Sequence, residues 1–92
     1  MIRIEDWCLR GGAGSYISPE KIAFRLEGIV YGHPFKENGK RITTSNIITA
    51  EWKNRIVFTR SGHIYELGTP NPEWIEWLKE KGYEKSLQWL DL

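Results

Sequence analysis

From about residue 22 to residue 67 the sequence keeps a period of two, broken at intervals by residues that favour turns. Ile22, Phe24 and Leu26 alternate with Ala23, Arg25 and Glu27. At that spacing a strand sends one set of side chains to a core and the other to solvent. A strand is therefore expected from about Ile22 through Tyr31, with a bulge at Gly28. Asn38-Gly39 supplies a positive-φ turn, and the β-branched run Ile42-Thr43-Thr44 to Ile47-Ile48-Thr49 predicts a second strand over residues 41–50. Lys53-Asn54 makes a short turn into a third strand at 55–59, and Ser61-Gly62 turns into a fourth at 64–67. Antiparallel connections in succession make a meander.

The segments on either side are of different character. Ile2 and Ile4 alternate ahead of Trp7-Cys8-Leu9, which fits a strand or a single helical turn, and Gly11 to Ser15 reads as a flexible loop. After Gly68-Thr69-Pro70, Asn71 is a good N-cap, Pro72 suits the first helical position and Glu73 favours the positive helix end. Trp74, Trp77, Leu78 and Lys81 share one helical face and Gly82 ends the helix, with a last short helix expected over 84–90. The expected fold is α+β: an antiparallel β-meander or small open barrel packed by C-terminal helices. It is a single domain over 1–92, with an N-terminal segment and loop at 1–21, the meander at 22–68 and the helices at 71–91.

A chain of 92 residues buries only about 60–65% of the surface it exposes when unfolded. Its five tryptophans are therefore candidates to fill a thin core, or to anchor subunit contacts in a homo-oligomer. Cys8 is the single cysteine, which rules out an intramolecular disulfide and a cysteine-based metal cluster. With no apolar run near bilayer length and no signal-like N-terminus, a cytoplasmic protein without membrane contact is expected. Residues 1–60 carry ten Lys/Arg against six Asp/Glu, and residues 61–92 carry three against six. The near-neutral total disfavours dedicated DNA binding but allows a local anion site.

Motifs for catalysis are weak. His33, His63 and Cys8 lack the spacing of a zinc site, so no metal or other cofactor is expected. Acid–base chemistry on a phosphodiester by His33 and His63, with Arg60 on the phosphate, is weighed and set below a non-enzymatic reading. Arg41-Ile42-Thr43-Thr44-Ser45 places hydroxyls on both faces of one strand, beside Tyr31-Gly32-His33. Such a group suits an anion rich in acceptors, although a wet sheet face would select threonine equally well. The candidate ligand-binding set is Tyr31, His33, Arg41, Thr43, Thr44, Ser45, Trp52, Arg60 and Ser61. In it Arg41 and Arg60 meet phosphate, and the hydroxyls bind phosphate or sugar. His33 with Tyr31 or Trp52 contacts a base or closes the pocket. Trp52, between Glu51 and Lys53, is expected to be exposed.

Three stretches carry a resemblance: Leu26-x-Gly28-x-Val30-Tyr31-Gly32-His33-Pro34, then Gly39-x-x-Ile42-Thr43-Thr44-Ser45-x-Ile47, then Thr59-x-Ser61-Gly62-x-x-Tyr65-x-Leu67-Gly68. Over residues 26–68 the chain resembles small proteins of bacteriophages and prophages. That resemblance implies a counter-defence role in the host cytoplasm. The first expectation is sequestration of an anionic, nucleotide-like immune signal. The alternative is an anti-CRISPR-like inhibitor that blocks a host defence protein by direct contact, and a third is a structural phage component. The acidic C-terminal third (Glu73, Glu76, Glu80, Glu84, Asp91) would serve the second, although Lys79, Lys81 and Lys85 interrupt it.

Overall fold

The computed structural model describes residues 1–12, 14–19, 24–83, 85 and 88. Its elements are β1 (Ile2–Arg10), β2 (Arg25–Tyr31), β3 (Lys40–Glu51), a 3-10 turn (Trp52–Asn54), β4 (Ile56–Thr59), β5 (Ile64–Leu67) and α1 (Pro72–Glu80). The strands form a barrel in the order β1-β2-β3-β4-β5. Each pairs antiparallel with the next. In an up-and-down ring of five, the first and last strands run the same way, so the ring can close only through a parallel pair. Ile2, Arg3 and Ile4 of β1 make that pair with Tyr65, Glu66 and Leu67 of β5.

The N-terminal segment is thus a full strand of the barrel and not a helical turn. A bulge between Glu5 and Cys8, with Asp6 at φ 51°, changes the phase of β1. Ile2 and Ile4 before it and Trp7 and Leu9 after it are all buried in the core. The strand expected from Ile22 begins at Arg25, with the described Phe24 just before it, while 20–23 lie outside the described residues. The bulge expected at Gly28 lies instead in the facing strand β1, and Gly28 itself pairs in register with Ile42. It is required where β2 crosses that bulge, since a Cβ there would lie 2.7 Å from Ile4 Cγ1 and 2.8 Å from the Glu5 carbonyl oxygen. The turn glycines fall where expected, with Gly39 at φ 84° and Gly62 at φ 90°.

Helix α1 closes one end of the barrel. Asn71 Oδ1 accepts from the Trp74 N–H, and Trp74 and Leu78 are fully buried. The Trp74 and Trp7 rings meet at 5.1 Å, Trp7 Nε1–H donates to the Gly68 carbonyl and Trp74 Nε1–H to that of Ile17. Two tryptophans therefore supply bulk that a small core lacks, with both polar tips satisfied. Trp77 is half-buried between Tyr16 and Tyr83. The second helix expected over 84–90 lies largely outside the described residues, as does the end of the acidic C-terminal third. Among the described residues no helix is long and apolar enough to cross a membrane.

Candidate functional site

At the end of the barrel where β1 begins, opposite α1, the 32–39 loop and the β4–β5 hairpin stand beside β3. Between them lies a cleft of about 320 Å³. Its wall is built by Thr43, Thr44 and Ser45 of β3 and by Ser61 and His63 of the hairpin. His33, Phe35 and Lys36 of the loop also line it, with Ile42 and Tyr65.

The hairpin is tied to β3 by hydroxyls. Ser61 N–H donates to Ser45 Oγ at 3.0 Å, and Ser45 Oγ donates to Ser61 Oγ at 3.1 Å. Ser61 Oγ also lies 3.2 Å from Thr59 Oγ1 and 3.2 Å from His63 Nδ1. A continuous chain of hydrogen bonds thus runs from the strand to the His63 ring. The His33 and His63 rings are 4.7 Å apart between centroids, and Phe35 lies within 6.3 Å of each.

His33 is held in one tautomer. The Phe35 backbone N–H donates to its Nδ1 at 3.0 Å, so that nitrogen is the acceptor and Nε2 carries the proton. A second proton on Nδ1 would face the amide hydrogen. Burial, together with the nearby His63 and Lys36, lowers the His33 pKa from that of a free imidazole. Burial raises the pKa of Tyr65, which therefore stays a neutral phenol.

Five of the nine residues expected to bind ligand converge here: His33, Thr43, Thr44, Ser45 and Ser61. Thr44, however, is buried, and its hydroxyl serves the backbone. It accepts from Leu26 N–H at 3.1 Å and donates to the Ser45 carbonyl at 2.8 Å. A register shift between Arg25 and Glu27 leaves Leu26 opposite the extra residue of β3, and Thr44 fills that gap in the ladder.

The other four lie elsewhere. Arg41 is engaged by Asp6 and by Glu27, the latter at 3.0 Å, on the outer surface of the barrel. Tyr31 is exposed at the end of β2 and does not line the cleft. Trp52 is half-buried and stacked on Phe24 at 6.5 Å, against the expectation of exposure. It follows the last residue of β3, about 25 Å along the strand from Thr44, so it cannot close this cleft. Arg60 is exposed on the hairpin turn. Its backbone N–H donates to the Asn46 carbonyl, and its guanidinium has no partner among the described residues.

Phe35, Lys36, Ile42, His63 and Tyr65 are cleft residues absent from the expected set. For Phe35 the signal was an aromatic in an otherwise polar loop. For His63 it was the Ser61-x-His63 spacing. The pairing of His33 with His63 weighed for phosphodiester chemistry does meet in space, at 4.7 Å between ring centroids, whereas Arg60 does not line the cleft.

Chemically the cleft offers donors: His33 Nε2–H, the Thr43 hydroxyl, the Ser61 hydroxyl chain and the Lys36 ammonium. Among the described residues no group of three His, Cys, Asp or Glu side chains is placed to hold a metal ion. Two imidazoles fall short of the three or four ligands of a zinc site. No family model, curated protein or solved structure matches the chain.

Proposed function

We propose that the chain binds an anionic, nucleotide-like ligand in the His33–His63 cleft and acts by sequestering it, as a phage counter-defence protein would. The observation that carries this reading is the convergence of donors from three separate segments, the 32–39 loop, β3 and the β4–β5 hairpin, on one cleft. Lys36 and the His33 Nε2–H meet phosphate oxygens, Thr43 and Ser61 bond phosphate or sugar, and Phe35 stacks on a base. Phe35 is 80% exposed, a state that a large apolar ring leaves when a planar partner covers it.

Binding is favoured over proton transfer by the tautomer of His33. A general acid near neutral pH must carry a proton it can give away and recover. The Phe35 amide and the lowered pKa instead suit a fixed neutral donor. The counter-defence role rests on the resemblance of residues 26–68 to phage proteins.

The test is native mass spectrometry of protein purified from bacteria, with a thermal-shift panel of AMP, cyclic AMP and cyclic dinucleotides. A nucleotide-sized adduct, or stabilisation by one compound, supports the reading, since a ligand that binds only the folded state raises its stability. Indifference to the whole panel counts against it and moves the reading to direct blockade of a host protein. That second reading is favoured by the exposure of Phe35 and of Ile48, which is 67% exposed on β3.

A further inference from the structure

Away from the histidine cleft, a groove of about 510 Å³ opens between the 3-10 turn and the chain that follows β5. Asn54, Arg55, Thr69 and Pro70 line it, together with Arg3 and Glu66. The volume lies in the range of small-molecule sites.

Arg55 is the unusual residue. It closes the 3-10 turn in the left-handed region, at φ 57° and ψ 43°. Glycine or asparagine adopts that conformation readily, whereas an arginine there is strained. Its main chain makes bonds that any residue could make: the N–H donates to the Trp52 carbonyl and the carbonyl accepts from Leu67 N–H. The side chain is less well matched. Half-buried, it has a single partner among the described residues, the Gly68 carbonyl at a long 3.4 Å. The other charged groups of the lining are already matched, with Arg3 bonded to Glu66 at 3.2 Å and also to Glu5. Asn54 is turned to Glu51.

We infer that this groove is a second binding site, one that takes a small organic carboxylate on Arg55. The guanidinium fork matches a planar carboxylate bidentately, and Thr69 lines the groove beside it. Charge selects among oxyanions. The two positive charges of Arg3 and Arg55 are balanced overall by Glu5 and Glu66, but both carboxylates are bonded to Arg3, so Arg55 is the cation without a carboxylate partner. A monoanion pairs with Arg55 and adds one net negative charge, whereas a phosphate dianion adds two near Glu66.

The experiment is an NMR titration of the full chain with acetate and propionate, and separately with inorganic phosphate. Amide shifts of Leu67, Gly68 and Thr69 and the Arg55 Nε–H resonance are followed. Saturable shifts with the carboxylates, weaker with phosphate, are expected. Arg55→Asn, which suits the left-handed backbone, should keep Tm within about 3 °C of the parent, because relief of strain offsets lost packing. It should lower carboxylate affinity at least about tenfold. Absence of saturable shifts, phosphate binding more tightly than carboxylate, or carboxylate affinity unchanged in Arg55→Asn would each overturn the inference.

Discussion

The Phe35 amide donates to Nδ1 of His33 across 3.0 Å, so a backbone group only two residues along the loop decides the tautomer of the imidazole. The proton must then sit on Nε2, and adding another on Nδ1 sets two hydrogens against each other. Burial and the neighbouring His63 and Lys36 act in the same direction, lowering the His33 pKa.

The pH dependence follows from that shift. A folded-state pKa below the unfolded value near 6.5 means that the unfolded chain takes up the proton more readily. The stability contributed by neutral His33 is present above the unfolded pKa and is lost as pH falls toward the folded one. Denaturant unfolding at about pH 7.5 and about pH 5 should show the protein weaker in acid. His33→Gln should flatten that part of the curve, and an unaltered curve in the variant would remove His33 as its source.

Thr44 belongs to the scaffold. Thr44→Val leaves the buried Leu26 N–H without its acceptor, at a cost of about 1–3 kcal/mol. Thr44→Ser retains the hydroxyl and should recover most of it. Thermal unfolding of the pair checks this: equal Tm values would mean that the hydroxyl does not complete the ladder at the bulge.

Gly28 faces the bulge in β1. Its replacement by alanine forces a methyl group against Ile4 and the Glu5 carbonyl, overpacking that costs about 1–3 kcal/mol. The drop in Tm should exceed that for alanine at Gly12, where a Cβ meets nothing within 4 Å.

Cys8 is buried beside Glu27, and burial pushes its thiol pKa up to about 11. The thiolate is the reactive form, so the folded protein should react slowly with a thiol reagent at pH about 8. In denaturant the same thiol should react at the rate of a free cysteine. Rapid reaction of the native protein would show that β1 opens.

The strands were legible because their signals are local. The Asn38-Gly39 and Ser61-Gly62 turns and the β-branched run of β3 each announce an element within a few residues. Asn71, Pro72 and the Trp74/Leu78 spacing did the same for α1. The closure of the barrel by Ile2–Ile4 was not legible, since it depends on a pairing across more than sixty residues. The site divides along the same line. Thr43, Ser45 and Ser61 stood out as a hydroxyl cluster, but the loss of Arg41 to Asp6 and Glu27 is a tertiary event. So is the meeting of His33 with His63. Trp52 was misread from its charged neighbours, because Phe24, far off in sequence, covers it.

The central claim is that the His33–His63 cleft binds a nucleotide-like anion, and amide chemical-shift mapping tests it most directly. With 5′-AMP and a cyclic dinucleotide as probes, saturable shifts are expected at Phe35, Lys36, Thr43, Ser61 and His63. They should fade in a Ser61→Ala, Lys36→Ala double variant whose spectrum is otherwise that of the folded parent. Spectra unmoved by either probe at millimolar concentration, or shifts confined to residues outside the cleft, would contradict the account.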